Sequence, residues 1–515
     1  MNPGRVLLLT GRRAADIVRR AASDYDWADV KVLPIEVAAL MTTSFILDNL
    51  SKEDVDGYDL VLVPGLFRGN VRELDERLEA DFRLSTREAR DLPVLLEEME
   101  KGFEPSKDVP ACVLLRERLL DRVGRVIEEA EGEIPDDAWV DVGPVRVAPG
   151  CRPRVLSEVF CDGREPEDVA VEASRRVDHG AEIVDLGFHE EDPERAAAVA
   201  EAVIDRVGGD AAISVDTGDP DVMEAVLSEG AHMILSAFPD FREPLELARD
   251  YDVPVVICPS SRDPKKAVAE LSDLLRSCDR MGVKAVVDPL LDPPWSVVES
   301  VVRFKEVVEH IDDVPTFFGA GNVFELIDAD STGAAALCAV MAVELGASIV
   351  FTPEAGGKTA GSTLELAIAS RMAYAAEKTG GFPKDLGLDL LVFKSKHRPW
   401  NGSGSGEGTS PAGMSPPRSP DPAGYVRIEV DHEGGVLKVT HVGTDGERLT
   451  LEGEDGLEIA MALIGLGLVS RLDHAAYLGY ELARAEACLK GFRVYVQDEP
   501  EGFYVDKLED LRRLG

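Results

Sequence analysis

The chain has 515 residues, of which 45% are hydrophobic and 30% are charged, so we expect two to four globular domains. Its formal net charge of −42 excludes nucleic acid and anionic membranes as general partners, because both would be repelled. The seven cysteines include no Cys-x-x-Cys pair, which favours reduced thiols in a cytoplasmic protein over a disulfide framework or a structural zinc site. Five asparagines and one glutamine beside this dense charge are typical of a heat-adapted, thermophilic protein.

Residues 1–150 predict an N-terminal α/β domain of the Rossmann-like kind. Residues 6–9 and 60–63 are continuously apolar, as buried parallel strands are. Each run ends in a glycine turn, Thr10-Gly11 or Pro64-Gly65, where an open α/β sheet places its ligand crevice. Ordinary strand-to-helix turns explain these glycines better, because no Gly-x-Gly-x-x-Gly motif follows either strand.

The central region, residues 151–392, alternates regularly between apolar runs and charged segments of helical period. We expect eight strands, at residues 154–160, 182–188, 211–217, 232–238, 254–260, 284–290, 315–321 and 348–354. Eight evenly spaced β/α units predict a closed (β/α)8 TIM barrel, and a doubly wound sheet is the alternative. The longest apolar stretch, 333–351, contains Glu344 and predicts a helix followed by a strand rather than a membrane span.

The C-terminal part is set apart by a segment that cannot form a core. Residues 393–424 include Gly-Ser repeats and a Ser- and Pro-rich run, so we predict a flexible linker. Beyond it, residues 425–515 predict a small α+β domain, with strands at the start, helices at 456–468 and 470–490, and a last strand at 492–496.

Polar residues stand at the predicted C-terminal ends of the barrel strands, where barrels of this kind place their chemistry. They are Glu158, Asp185, Asp216, Ser236, Asp288, Asn322 and Glu354. So many polar groups in one ring would be costly without partners, which indicates a polar ligand or bound water. Capping of the next helix is the other explanation for such acids, and it suits Asp219 beside Pro220 better than Asp216 or Asp288.

Four stretches resemble successive strand motifs of the dihydropteroate synthases and of the wider pterin-binding barrel family, which includes methyltetrahydrofolate–corrinoid methyltransferases. They are Gly180-Ala-Glu-Ile-Val-Asp185-Leu-Gly187, Ile213-Ser-Val-Asp216-Thr217, Gly230-Ala-His-Met-Ile234 and Val286-Val-Asp288-Pro289. The resemblance implies that Asp216 and Asp288 accept hydrogen bonds from the amino and ring N–H groups of a reduced pterin. Asp185, Ser236 and Asn322 would complete the pterin pocket.

Other positions depart from the synthase pattern. Glu158 stands where the synthases carry an asparagine after the first strand, and the acidic loop 188–193 replaces their Ser-Thr-Arg. Residues 319–324, around Asn322, resemble the Ser-Asn-Val-Ser-Phe segment of the methyltransferases, and Glu354 replaces the Arg-x-His of the eighth strand. The resemblance therefore implies a retained pterin pocket with a changed phosphate-handling surface.

The whole pattern, including the C-terminal extension, resembles the dihydropteroate synthase-related proteins of methanogenic archaea and implies a role in tetrahydromethanopterin biosynthesis. The first hypothesis is a transferase that joins an activated hydroxymethyl-dihydropterin to an arylamine, with Asp216, Asp288 and Glu158 as its catalytic residues and with room for a helper Mg²⁺ ion. The second is a methyl-transfer protein in which Asn322 contacts the pterin and a corrinoid protein is the partner. The third is a non-catalytic pterin-binding protein. Assembly into a homo-oligomer stays open.

Three further groups have a functional and a simpler explanation. Gly356, Gly357 and Lys358 follow the eighth strand, where barrels often bind phosphate, and a plain turn with a solvated lysine accounts for them equally well. Asp328 and Asp330 could bind a metal ion together with Glu325, but two acids at a helix N-terminus are more simply caps. His474 on a helix is more simply a packed residue than a corrinoid or metal ligand. The sequence alone thus predicts no metal site.

Overall fold

The computed structural model describes residues 3–384, 386–392, 421–432 and 434–498. The predicted linker at 393–424 lies outside the described residues except for its last four, and so does the end of the chain from residue 499. The division of the chain into four parts stays a proposal. Within the described residues, no helix combines the length and the apolar character that crossing a membrane requires.

A parallel four-stranded sheet forms the N-terminal α/β unit. Its strands are β1 (Val6–Thr10), β2 (Ala28–Val32), β3 (Leu60–Val63) and β4 (Phe82–Leu84), in the order β2-β1-β3-β4. Its helices are α1 (Ala15–Ala22), α2 (Thr43–Asn49), α3 (Lys52–Val55), α4 (Val71–Leu78), α5 (Leu92–Glu100), α6 (Ala111–Leu114) and α7 (Arg116–Gly132). β1 and β3 are buried throughout because helices cover both faces of the sheet.

A short hairpin, β5 (Val140–Val142) with β6 (Val145–Val147), lies under the central barrel. Its valines share one apolar cluster with the inward-facing barrel residues Leu156, Ile183 and Met233. The hairpin therefore closes the N-terminal end of the barrel, and the opposite end is left for a ligand.

The central region is an eight-stranded parallel barrel, as predicted. Its strands are β7 (Arg154–Phe160), β8 (Ile183–Gly187), β9 (Ala212–Asp216), β10 (Met233–Ala237), β11 (Val255–Ile257), β12 (Ala285–Val287), β13 (Phe317–Phe318) and β14 (Ile349–Thr352). Their order is β12-β11-β10-β9-β8-β7-β14-β13, and a parallel bridge between Val287 and Thr316 joins the two edges. Several strands end earlier than predicted, because the chain leaves the ladder where its polar residues reach the mouth.

Helices surround the barrel on the outside. They are α8 (Pro166–Asp178), α9 (Pro193–Val207), α10 (Pro220–Ser228), α11 (Glu243–Tyr251), α12 (Pro264–Met281), α13 (Val297–His310), α14 (Gly321–Phe324), α15 (Ser331–Glu344) and α16 (Ser362–Lys378). Proline at the first turn and an aspartate cap start several of them, as with Asp192 before α9 and Asp219 before α10. The capping explanation of Asp219 is confirmed.

The C-terminal unit has an antiparallel sheet of β15 (Tyr425–Asp431), β16 (Val436–Val442) and β17 (Arg448–Gly453), with α17 (Gly456–Gly465) and α18 (Leu472–Lys490) packed against it. The prediction of a last strand at 492–496 is wrong. This segment pairs with no strand of the described chain. Its Tyr495 contacts the helix instead and donates its hydroxyl hydrogen to Glu481 on α18 at 2.8 Å.

Candidate functional site

Three acids meet at the C-terminal ends of β7, β8 and β9. Glu158 lies directly opposite Asp185 in the parallel ladder, and Asp216 lies opposite Gly187, two residues further along β8. Side chains alternate along a strand, so residues two apart face the same side. Leu156 and Ile183 face the barrel core, and Glu158 and Asp185 therefore face inward above them. Each of the three acids places a carboxylate oxygen within 4.8 Å of the others.

The environment of these acids favours their neutral forms. Asp185 is fully buried, and the pKa of its carboxyl is raised by burial and by repulsion from Asp216 and Glu158. Burial, then Asp216 and then Glu325, raise the pKa of Glu158 to about 7. Asp216 reaches solvent at the mouth, but protein surrounds it on most sides; this burial raises its pKa to about 6 against the opposing effect of His189.

Asp288 and Ser236 lie on the other half of the mouth. Asp288 follows β12, is 7% exposed, and accepts a hydrogen bond from the backbone N–H of Leu290 at 2.8 Å. Burial raises the pKa of Asp288 to about 7. Burial also raises the pKa of the Cys258 thiol, and both Asp288 and Asp216 raise it further while a hydrogen bond with Ser236 opposes them. The two acids thus approach Cys258 from two sides, with Ser236 beside it.

Asn322 lies in the loop after β13, at the start of α14, with its side chain exposed. Its amide donates a hydrogen bond to the backbone carbonyl of Leu291 at 3.0 Å. That bond orients the side chain and leaves the amide oxygen for another partner.

Glu354 belongs to the supporting structure rather than to the open mouth. Its carboxylate pairs with Arg176 at 2.5 Å, and each side chain is only 2% exposed. It also accepts hydrogen bonds from the backbone N–H groups of Gly361 and Thr363. Burial alone would raise the pKa of Glu354, but Arg176 and these hydrogen bonds lower it overall. The sequence pattern does not reveal Arg176, because this partner lies on another element, helix α8.

The phosphate candidates form a tight turn after β14. The backbone N–H of Gly356 donates to the hydroxyl of Thr359 at 3.2 Å, and Gly357 begins a single 3₁₀ turn. Lys358 pairs with the fully exposed Asp328 at 2.9 Å. The amide of Gly356 is therefore engaged and the charge of Lys358 is partly neutralised, so a phosphate would have to displace existing contacts.

The remaining candidates have structural partners. Among the described residues, the one group of three potential metal-ligand residues is Glu158, Asp185 and Asp216, so Glu325 does not form such a group with Asp328 and Asp330. In the C-terminal unit, the Nδ1 atom of His474 lies 2.9 Å from a carboxylate oxygen of Asp421, and the ring stacks on Tyr477. These contacts support the packed interpretation of His474.

Sequence reasoning missed the electrostatic roles of two groups near the mouth. Glu325 acts electrostatically on Glu158, and His189 acts on Asp216. His189 lies in the acidic loop after β8, where it is the one basic side chain, and that contrast is the signal that the sequence offered.

Three family models match parts of this chain. Residues 157–351 match the family model described as pterin binding enzyme, residues 420–498 match the PterinBD-DUF4346 model, and residues 4–84 match a family of unknown function. The chain is 31% identical over 525 residues to an uncharacterized protein of Methanocaldococcus jannaschii, and the match covers 96% of this chain and 98% of that protein.

Solved structures similar to this chain include two of the synthase family. The Yersinia pestis DHPS with a pterine–sulfa conjugate is 20% identical, covers 47% of this chain and 99% of its own, and has a TM-score of 0.38. The dihydropteroate synthase from Thermus thermophilus is 24% identical, with 42% and 93% covered and a TM-score of 0.35. The chain belongs to the same family as the methanogen protein, and its central barrel contains a domain of the pterin binding enzyme family.

Proposed function

We propose that this protein binds a reduced pterin between Asp216 and Asp288 and acts on it as a transferase. The observation that carries the proposal is the arrangement of the buried Asp288 and the solvent-reaching Asp216 around Cys258 and Ser236 at one end of the barrel. The two carboxylates suit the N–H edge of a flat heterocycle. Each such charge-assisted hydrogen bond contributes roughly 1.5–3 kcal/mol.

The reaction that we propose is condensation, with Asp216, Asp288 and Glu158 as the catalytic residues. The nitrogen of an arylamine forms a bond to the exocyclic carbon of the pterin, the bond from that carbon to an activated oxygen group breaks, and the amine proton passes to solvent. The oxygen group leaves with the bonding electron pair, as a diphosphate would. The protein contributes mainly by binding and orienting the two reactants. The product would be a precursor of the tetrahydromethanopterin or folate type.

The walls of the mouth also favour a second function. Glu158, Asp185 and Asp216 make the β7–β9 side acidic, and Glu325, which follows α14, adds its charge near Glu158; this side repels a diphosphate unless a cation lies between them. Asn322 is exposed at the mouth with a free amide oxygen, as methyl transfer from a methylated pterin to a corrinoid partner would use. A pterin-binding protein without catalysis is the third possibility.

Calorimetry with the full chain tests these functions. Wild type, Asp216→Asn and Asp288→Asn are titrated with a reduced pterin, its hydroxymethyl diphosphate and its methylated form. We expect wild type to bind the pterin and each variant to bind it at least about tenfold more weakly, as the loss of one charge-assisted bond requires. Lys358→Ala removes the cation of the candidate phosphate turn. This control variant should bind the diphosphate more weakly and bind pterins without phosphate as wild type does.

The results separate the three functions. Product formation from diphosphate and arylamine supports condensation, methyl transfer to a cobalamin supports the second function, and binding without turnover supports the third. If wild type binds none of the pterins, or if Asp216→Asn and Asp288→Asn bind as well as wild type, the pterin clamp is wrong.

A further inference from the structure

We infer that a cleft between the N-terminal unit and the barrel binds a small organic anion, one that combines an apolar body with a phosphate or carboxylate group. The cleft has a volume of about 900 Å³ and is lined by α1, the turn before α5, α7, and the C-terminal end of α16 with the segment after it. Pockets for small molecules have volumes of roughly 300–1,000 Å³ and often lie where two folding units meet. The proposed function does not use this cleft, so the inference goes beyond that function.

The cleft lies toward the closed end of the barrel, opposite the proposed pterin site. Helix α16 begins at Ser362, after the mouth end of β14, and runs toward the closed end. Near its C-terminus, Tyr374 donates its hydroxyl hydrogen at 2.9 Å to the carbonyl of Gly150, just after the hairpin that closes the barrel. Ala375 of this helix and Thr379 at its end line the cleft. A ligand bound here would therefore be distant from the barrel mouth.

The charge of the cleft is opposite to that of the whole chain. Five basic and three acidic side chains line it, whereas the chain has 55 lysines and arginines against 97 acids. The basic residues are Arg13, Arg20, Arg90, Arg122 and Lys384. A local excess of positive charge attracts an anion that the rest of the surface would repel.

The four arginines of the cleft lack acidic partners. None of them forms an ion pair with a carboxylate of the described residues, whereas Arg19, beside Arg20 on α1, pairs with Asp16 at 3.5 Å. Lys384 differs from the arginines because it pairs with Glu88 at 3.3 Å. Arginines that share one cleft without acidic partners repel one another, and a bound anion would remove that repulsion.

Two of the arginines are held in place with donors to spare. Arg122 donates from Nη1 to the backbone carbonyl of Arg90 at 2.7 Å, and Arg90 donates from Nη2 to the carbonyl of Gly380 at 3.0 Å. A guanidinium group has five N–H donors, so each keeps several for a ligand. Capping of the end of α16 explains Arg90. It does not explain Arg20, whose side chain donates, among the described residues, to the carbonyl of Asp16 in its own helix at 3.3 Å.

The walls between the arginines are apolar. Ile17 on α1, Leu119 and Val123 on α7, and Phe382 after α16 line the cleft. Phe382 is 75% exposed, so its ring is open to contact with a flat ligand. Apolar walls beside guanidinium groups suit a ligand with an apolar body and an anionic group better than a free inorganic ion.

Gly381 allows the guanidinium group of Arg90 to lie close to the end of α16. A Cβ atom at this position would overlap with the Nη1 atom of Arg90. Alanine would therefore displace the flexible end of the Arg90 side chain without removing its charge. This substitution tests the geometry of the cleft separately from its charge.

The test is the binding of three naphthalene probes by the full chain without any pterin. Calorimetry is carried out in about 150 mM KCl, where long-range attraction is screened. 1-Naphthyl phosphate and naphthalene-1,4-dicarboxylate are dianions with the same aromatic body, and 1-naphthol is a neutral molecule with that body. We expect wild type to bind one molecule of a dianion, and to bind 1-naphthol at least about tenfold more weakly because it lacks charge-assisted hydrogen bonds. The tighter of the two dianions identifies the anionic group that the cleft accepts.

Variants of the cleft locate the bound probe. Arg122→Gln and the double variant Arg13→Gln/Arg20→Gln should each bind the dianion at least about tenfold more weakly than wild type. Gly381→Ala, which keeps every charge, should weaken binding as well. A melting curve for each variant checks that it is folded, and the dianion should raise the melting temperature of wild type.

Matched controls remove one positive charge from the same helices outside the cleft. Arg19→Gln on α1 and Arg125→Gln on α7 should leave the affinity for the dianion unchanged. The inference is overturned if neither dianion binds one-to-one, if 1-naphthol binds equally well, if all cleft variants bind normally, or if the controls lose as much affinity as they do. Asp288→Asn should also bind the dianion normally, so the failure of the pterin clamp and the failure of this cleft are separate results.

Discussion

Asp288 is the residue whose protonation state matters most for the proposed pterin clamp. It is 7% exposed, and burial raises its pKa to about 7 although Leu290 and Arg303 act in the opposite direction. A protonated acid accepts hydrogen bonds poorly from a ligand N–H group, so the clamp needs the ionised form. Binding of the pterin must therefore be coupled to deprotonation of Asp288 at any pH below about 7.

Pterin affinity should consequently rise with pH. Between pH 5.5 and pH 7 the fraction of ionised Asp288 grows, and above pH 8 the pterin affinity should reach a plateau. The prediction is an increase in affinity of about tenfold over this range, measured by calorimetry with EDTA present. Asp288→Asn, which keeps an acceptor for Leu290 but cannot ionise, should show weak binding with a flat profile. A wild-type profile that is flat or that falls with pH would contradict the role of Asp288.

Glu354 and Arg176 illustrate a buried pair that serves stability. Removing one partner leaves an uncompensated buried charge, which typically costs about 3–5 kcal/mol. We predict a loss of this size in the free energy of unfolding for Glu354→Gln, measured by urea denaturation. Pterin affinity of the folded protein should stay unchanged, because the carboxylate faces Arg176 and Thr363 rather than the ligand. A large loss of pterin affinity in a Glu354→Gln variant that remains stable would show that Glu354 belongs to the binding site.

At the scale of elements, helix α18 is tied to the C-terminal sheet by one acid before β15. Asp421 accepts hydrogen bonds from the backbone N–H groups of Ser470 and Arg471 at 3.0 and 3.1 Å, and from His474 at the first turn of the helix. Burial alone would raise the pKa of Asp421, but these bonds outweigh it and the pKa is lowered.

This contact predicts an acid-sensitive C-terminal unit. Because the pKa of Asp421 is lower in the folded state, its stabilisation is fully present above the ordinary pKa of aspartate, about 4, and is lost as the pH falls from there through the lowered pKa of the folded state. Asp421→Asn should cost roughly 2–4 kcal/mol at pH 7 and a smaller amount at pH 3. Hydrogen exchange of residues 421–498 measures this, with the barrel amides as the internal control. Equal losses at both pH values would exclude a role for the ionised form.

At the scale of the whole molecule, the net charge of −42 means that the excess acidic side chains repel one another in the folded chain. Salt shortens the range of that repulsion to about 10 Å at 0.1 M. We therefore predict that the melting temperature rises by several degrees between 10 and 500 mM KCl, with NaCl giving the same curve. Sucrose, which does not screen charge, is the control for solvent exclusion. A melting temperature that falls with salt would show that attractive ion pairs dominate instead.

Much of the architecture could be predicted from the sequence because strand and helix periodicity are local properties. The eight β/α units and the acids at strand ends, such as Asp216 and Asp288, followed from runs of a few residues. The predicted last strand at 492–496 is wrong because its side chains do not act together: Tyr495 packs on α18, whereas Val494 and Val496 are exposed. A short apolar run does not reveal which surface it will cover.

The sequence by itself thus determined the barrel, the position of each polar residue along its strand and the pterin-binding family. Only the tertiary structure decided which acids meet. Strand register brings Glu158, Asp185 and Asp216 within 4.8 Å, whereas Glu354, an acid at the end of a strand like them, is paired with Arg176 from another helix. The reason is physical: the charge state of a carboxyl group depends on burial and on neighbours distant in the chain, and no local pattern records either.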